Sequence, residues 1–393
     1  MAESPRPPVV ILVSIDGFRA DYLDRGITPN LSALAASGIS GAMRPSFPSK
    51  TFPNHWALVT GKTPDHNGIV ANHFNDPRRP GEPFAMDSAD PFWWNEAEPI
   101  WVTAEKAGIR TAAMFWPGSN IAWGGYQVAE PWTEQTGGTR PEDWQHYDRA
   151  VTPMQRVNTL LDWLRRPEAI RPRFMTLYFD AVDSAGHEYG PDNPRTNAVV
   201  ADADGYIGAL IKGLQELEQP ADLIVVADHG MAAVSSERVI ALDAIADTRL
   251  YHLVDTGPFA AIEPTPGHEA KLAEALLAPH DHMQCWPRQN IPARLRYGAN
   301  PRVAPYFCLA EMGWQIAATA PDKPSSGGAH GYDNAAPEMA ALFVASGPDI
   351  AAAGRIPTFD NVDVAPLLRD LLGLPPETDA DGDDAPFRAA LRH

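Results

Sequence analysis

Three short runs of apolar, β-forming residues, Val9 to Val13, Phe174 to Phe179 and Leu223 to Ala227, each give way within a few residues to aspartate: Asp16, then Asp180 and Asp183, then Asp228. A continuous apolar run has no polar face to show to water, so it fits a strand buried on both sides. Strands of that kind must be covered, and helical patterns near 157–165 and 195–218 lie beside them. The expectation is an α/β fold with a mostly parallel central sheet and helices on both faces. In such sheets, functional side chains gather at the strands' carboxyl ends, where the acids fall.

Local signals place the neighbouring helices. Thr28-Pro29 opens the stretch Asn30 to Ala36 with a capping threonine, a proline in the first turn and Gly38 as the stop. A second helix runs from about Pro53 to Gly61, which puts Thr51 at or just before its N-terminus. Residues 245–320 change texture to proline-rich and short β-like pieces. They are read as a small inserted subdomain that splits an α/β core of 6–244 and 321–393. Met339 to Val344 and the helix-like Val362 to Leu372 return to the main sheet.

With 393 residues, 44% of them hydrophobic, the chain can bury a full core. Its formal charge of -19 disfavours long nucleic acid and acidic membrane surfaces. A small anionic substrate is compatible with that charge if bound cations dominate the local field. No stretch approaches the roughly 20 apolar residues of a membrane span. The opening Met1 to Pro8 has no apolar signal core, so an export signal is missing from this sequence or never existed. Cys285 and Cys308 either pair or stay as two buried thiols. The acidic tail Asp379 to Asp384 only superficially suggests a calcium loop: Asp384 stands where the turn glycine belongs and Ala390 where the bidentate glutamate belongs.

The acids acquire chemical meaning from the histidines near them. Asp183 and His187 are four residues apart and can reach one ion from a loop or a helical turn, and Asp228-His229 can serve another. Adjacent side chains point to opposite faces of a strand, so that pair can ligate only if the strand has ended, with Gly230 relieving the turn. His330, among Gly327, Gly328 and Gly331, is expected on a flexible loop that can approach a metal closely. Of the twelve histidines only His187, His229 and His330 are used, and the rest, His55 among them, are read as structural or surface residues. Any one of these motifs is more often a surface hydrogen bond or a helix end. Together they outline a two-metal phosphoryl-transfer centre, because oxygen and imidazole donors suit zinc and two zinc ions slightly outweigh three carboxylates in charge. Thr51 is the candidate nucleophile. A threonine hydroxyl needs a metal or a base to act so, and the bland alternative is a simple helix N-cap.

Ile15 to Arg19, Phe47 to His55, Gly68 to Asn72, Trp116 to Ser119, Asp183 to His187, Ala227 to Met231 and His330 to Asn334 resemble blocks of the nucleotide pyrophosphatases/phosphodiesterases of the alkaline phosphatase superfamily. The resemblance spans nearly the whole chain, and the length suits a compact bacterial member without accessory domains. It implies an alkaline-phosphatase-like core and two zinc ions, one held by Asp16, Thr51, Asp228 and His229, the other by Asp183, His187 and His330. Asn72 would donate to a phosphate oxygen. Phe52 would form one wall of a nucleobase slot, and Tyr147 is either the opposite wall or an ordinary core or surface aromatic. Location in the periplasm or outside the cell is implied by the family alone.

The implied reaction is zinc-dependent hydrolysis of phosphodiester and pyrophosphate bonds in nucleotides, releasing nucleoside 5'-monophosphates through a covalent threonine intermediate. A choline-phosphate or lysophospholipid phosphodiesterase of the same family shares these ligands and is the nearest rival, against which the long Ile121 to Tyr147 segment leans towards a nucleotide slot. A non-catalytic zinc- or nucleotide-binding protein would be expected to lack a ligand or the nucleophile, and all seven core positions are present.

Overall fold

The computed structural model describes residues 6–128 and 134–392, leaving part of the Ile121 to Tyr147 segment and His393 outside the described residues. The three apolar runs form adjacent parallel strands at the centre of a nine-stranded sheet: Val9–Ile15 lies between Ala221–Val226 and Phe174–Phe179. Beyond Phe174–Phe179 come Thr111–Met114 and Asp143–Gln145, also parallel. On the other side Ala341–Ser346 runs antiparallel to both of its neighbours, Ala221–Val226 and Ile39–Arg44. All seven residues of Val9–Ile15 are buried, which explains their unbroken apolar character.

Two groups of helices flank this sheet. Pro29–Ser37, Pro153–Leu164 and Pro194–Glu216 pack together, and Thr51–Thr60, Ile100–Lys106 and Val364–Leu372 form the other group. The expected helix after Thr28 is present, but its cap differs. Thr28 makes no side-chain capping bond, and the carboxylate of Asp204, on Pro194–Glu216, accepts from the backbone N–H groups of Asn30 and Leu31. A distant aspartate replaces the local cap because the two helices pack side by side.

Residues 251–310 hold a separate four-stranded antiparallel sheet, ordered Tyr251–Asp255, Phe259–Pro264, Tyr306–Ala310 and Met283–Pro287. Cys285 and Cys308 stand opposite each other in neighbouring strands and form a disulfide. One face of this sheet, through Phe259 and Phe307, joins the main core, while Ala260, Ile262 and Cys308 belong to a second, smaller core.

Candidate active site

The carboxyl ends of the three central strands bring Asp16, Asp183 and Asp228 together. Asp16 follows its strand directly, and Asp228 lies two residues past Val226. Asp183 and His187 sit on the helix Ala181–Tyr189, one turn apart, with His187 Nε2 3.4 Å from Asp183 Oδ1. Gly17 has φ +68°, and a Cβ there would lie 2.9 Å from Asp183 Cα, so glycine is what lets the first and second turns meet.

Glycines beside the histidines serve close approach more than flexibility. Gly327 and Gly328 belong to the strand Ser326–Ala329, where the sequence suggested a loop, and a Cβ at either would run into the carbonyl of His187 or Gly186. Gly230 was expected to relieve a turn; instead a Cβ there would meet the Glu338 carbonyl at 2.1 Å. In both places backbone packs directly on backbone, and that presses His330 and His229 into the centre. Their rings stack with centroids 3.5 Å apart.

Each of the three imidazoles is oriented by a carbonyl. Nδ1 of His187, His229 and His330 lies 2.8, 2.9 and 2.8 Å from the carbonyl oxygens of Gly328, Gly230 and Ser49. A carbonyl only accepts, so Nδ1 carries the proton and Nε2 presents a lone pair inward. The carboxylates are prepared in the same sense. Tyr178 donates to Asp16 Oδ2 at 2.6 Å and the Gly17 N–H to Asp228 Oδ1 at 3.1 Å. Asp16 Oδ1, Asp183 Oδ1 and Asp228 Oδ2 are buried without a hydrogen-bond partner.

These unpartnered atoms converge in two groups, Asp16 with Asp228 and His229, and Asp183 with His229 and His330, the donors of each lying within 4.8 Å of one another. His187 joins the second group through Asp183. Buried oxygens left without partners are costly, whereas lone pairs from carboxylate and imidazole with no thiolate are what two borderline divalent cations require. The residues therefore fit a bimetallic centre.

Titration behaviour agrees with that fit. Burial, reinforced by the charges of Asp228 and Asp183, pushes the Asp16 carboxyl well above the usual carboxylate range. Burial raises Asp183 as well. Asp228 is desolvated too, and its carboxyl stays low, at about 2, only with cationic charge beside it, which protonated His229 and His55 supply when no metal is bound. Burial, with His229, Lys50 and His187 nearby, drives His330 well below its ordinary value, so it is neutral. Three carboxylates crowded out of water need positive charge beside them to ionise together.

Thr51 is the first residue of the helix Thr51–Thr60, and its Oγ1 lies 3.3 Å from His229 Nε2. The N-cap position of that helix belongs to Lys50, so Thr51 stands one residue inside the place a plain N-cap would take. Asn72 Oδ1 accepts from the Phe52 N–H at 3.0 Å, which turns the amide NH2 of Asn72 away from that bond and makes it available to a ligand. His55 keeps the structural role expected of it, with a consequence for the site: its Nδ1 donates to the Thr51 carbonyl and its Nε2 accepts from Ser14, pinning the Thr51 backbone to the central strand.

A cavity of about 520 Å³ opens beside these groups and is lined by Asp16, Thr51, Asn72, Asp183, His187 and His330 on one side. Phe52 and Tyr147 line it as well, Phe52 packed on Phe84 and Trp94, and Tyr147 on Phe115 and Tyr178. Sequence reasoning missed Tyr178 and Trp94. For Tyr178 a signal existed, a hydroxyl-bearing residue inside an otherwise apolar run two positions before an acid.

A parallel sheet with paired candidate metal clusters at its strand ends and a threonine hydroxyl at a helix start beside them has the make-up of a bimetallic hydrolase of the alkaline phosphatase type. Residues 10–333 match the family model described as type I phosphodiesterase / nucleotide pyrophosphatase. The chain belongs to that family and is an enzyme of its phosphodiesterase class. It is 36% identical to bis(5'-adenosyl)-triphosphatase enpp4 of Xenopus laevis over 372 residues, 93% of this chain and 78% of the relative. It is 34% identical to an uncharacterized pyrophosphatase/phosphodiesterase of Schizosaccharomyces pombe over 387 residues, 93% and 77% of the two chains.

Among solved structures, human ectonucleotide pyrophosphatase/phosphodiesterase 5 superposes with a TM-score of 0.90 at 32% identity, covering 98% of this chain and 100% of that one. An inactive threonine-to-alanine variant of the murine protein, in complex with AMP, gives the same TM-score at 33% identity and the same coverage. The expectation of a compact bacterial type is overturned by these matches to yeast and vertebrate proteins. The chain matches about three quarters of the length of such relatives, so its length carries no information about source. The periplasmic expectation loses its basis with it. Among the described residues no helix is long and apolar enough to cross a membrane.

Proposed function

We propose that this enzyme hydrolyses phosphodiester and pyrophosphate bonds of small nucleotides at a two-zinc centre, with Thr51 as nucleophile, releasing nucleoside 5'-monophosphates. The observation that carries the reading is the position of Thr51 Oγ1, 3.3 Å from His229 Nε2, at a helix start that opens into an aromatic-walled cavity. Zinc would be held by Asp16, Thr51, Asp228 and His229 at one position and by Asp183, His187 and His330 at the other. When bound, the pair supplies Lewis-acid stabilisation of the attacking and departing oxygens.

The chain's own groups do the rest. The helix N-terminus and the Asn72 amide orient the phosphoryl oxygens. Thr51 Oγ attacks phosphorus in line, giving a nucleotidyl-threonine ester as the leaving group departs on the opposite side, and water then cleaves that ester and regenerates Thr51. Phe52 and Tyr147 provide the walls between which a base stacks. The triphosphatase name of the Xenopus relative and the AMP bound to the inactive murine variant support nucleotides over phosphocholine esters. The Cys285–Cys308 bridge supports an oxidising compartment outside the cytosol.

The deciding experiment compares kcat/KM for ATP or a dinucleotide, a phosphate monoester and a phosphocholine ester. Nucleotide preference is expected. Preference for the phosphocholine ester would overturn the substrate reading and leave the two-metal chemistry standing.

A further inference from the structure

Arg156 is buried in the helix Pro153–Leu164, at 2% exposure, and lies outside both the metal clusters and the cavity lining. A guanidinium out of water needs partners for its donors and its charge, and the bonds that Arg156 makes fall on segments that build the cleft. Nε donates to the Val151 carbonyl at 3.0 Å, four residues after Tyr147. One terminal nitrogen donates to the Tyr178 carbonyl at 3.0 Å and pairs with Asp180 Oδ1 at 2.8 Å.

Its guanidinium also lies over two cavity rings, 4.9 Å from the centre of Phe115 and 5.6 Å from that of Tyr147. Phe115 holds φ +58°, a left-handed conformation that a phenylalanine keeps only where its surroundings enforce it. Asp180 in turn is the N-cap position of Ala181–Tyr189, and its carbonyl accepts the Ser184 N–H of that helix. One side chain thus touches the loop bearing Tyr147, the strained turn at Phe115, the strand end bearing Tyr178, whose hydroxyl reaches Asp16, and the start of the helix bearing Asp183 and His187.

We infer that Arg156, acting through Asp180, is a positioning residue that fixes the Tyr147 wall of the substrate slot at a set distance from the metal clusters. The inference rests on the slot reading of Phe52 and Tyr147 given above. Lysine cannot replace the fork, because a single ammonium cannot reach carbonyls and carboxylate in different directions while stacking on two rings. A wall free to move weakens base binding and leaves phosphoryl chemistry largely in place, which shows as a rise in KM more than a fall in kcat.

The test uses the full chain with two zinc ions and two substrates, the p-nitrophenyl ester of AMP and methyl p-nitrophenyl phosphate, which has the same leaving group and no base. Arg156→Lys is expected to lower the ratio of kcat/KM between the nucleotide and the base-free ester by about tenfold, mainly through KM, at two metals per chain. A proportional loss on both substrates, or an unchanged ratio, overturns the proposal. Should Arg156→Lys fail to fold, Asp180→Asn, at a part-exposed position, gives the same reading: a reduced ratio supports the coupling and an unchanged ratio overturns it. Phe52→Ala separates the two layers. If it lowers the ratio while the Arg156 and Asp180 variants do not, only the positioning role falls; if it too leaves the ratio unchanged, the slot reading fails and takes the inference with it.

Discussion

The two halves of the cleft are built on opposite principles. On the metal side every donor comes from a strand end or a regular element pressed against one: Asp16, Asp228 and His229 have side chains at 3%, 0% and 0% exposure, and each imidazole is held by a carbonyl. On the slot side Phe52, Phe115 and Tyr147 come from a helix start, a strained turn and an irregular loop, and Tyr147 is 37% exposed. Metal chemistry specifies residue types and sub-ångström placement. Stacking asks only for flat apolar area at the right separation, which several residue types in several places supply. The first half is therefore rigid and chemically legible, and the second is adjustable.

That contrast can be broken by experiment. The largest effect is expected from metal removal: a chelator should abolish hydrolysis of a chromogenic nucleotide diester and zinc should restore it, and undiminished turnover in chelator would sink the bimetallic reading. Thr51→Ala should lower kcat by about a thousandfold or more while metal analysis still finds close to two ions, because the ester-forming oxygen is lost and six ligands remain. A wild-type rate would remove Thr51 from the mechanism. On the adjustable side Phe52→Ala should raise KM for nucleotides by roughly tenfold, the scale of one lost stacking contact, with a smaller effect on a base-free diester. Equal effects on both would mean that Phe52 supports the helix and not the base.

The smallest expected effect lies away from the cleft, at the opposite end of the strand that leads to Asp228. Burial pushes the Asp222 carboxyl up to about 7, and its Oδ2 has no partner. A folded-state value above the unfolded one means that the folded protein holds this proton more tightly, so stability is lost as pH rises from about 4 through about 7. Asp222→Asn removes that loss and should stabilise by on the order of 1 kcal/mol at pH 8, with the gain fading towards pH 4. Thermal melts at the two pH values check the sign, and kcat should be unaltered, since Asp222 touches no part of the cleft.

Legibility followed the same division. The members of the two candidate clusters could be singled out because acids after buried strands and an Asp and His four residues apart are rare enough to mean something. The cap on the helix after Thr28 could not, because Asp204 reaches it from 173 residues away. The glycines around His330 were visible, but their reason was not. Freedom to bend and absence of a clashing Cβ look identical in a sequence, and only the carbonyls of His187 and Gly186 standing against Gly327 and Gly328 decide between them. Cys285 and Cys308 were equally compatible with pairing or not until the register of two antiparallel strands set them opposite each other.

What the sequence by itself determined was the parallel core and the candidate donors, since both follow from local pattern and from the fixed preferences of oxygen and imidazole groups. Tertiary structure decided which lone pairs face inward, which carboxylate oxygens are left unpartnered, and that Arg156 and Tyr178 bind the slot to the metal side. Several of those properties depend on contacts between segments more than a hundred residues apart, such as His187 with Gly328, His330 with Ser49 and Tyr178 with Asp16, whose distances are set only when the whole sheet has closed and its helices have packed.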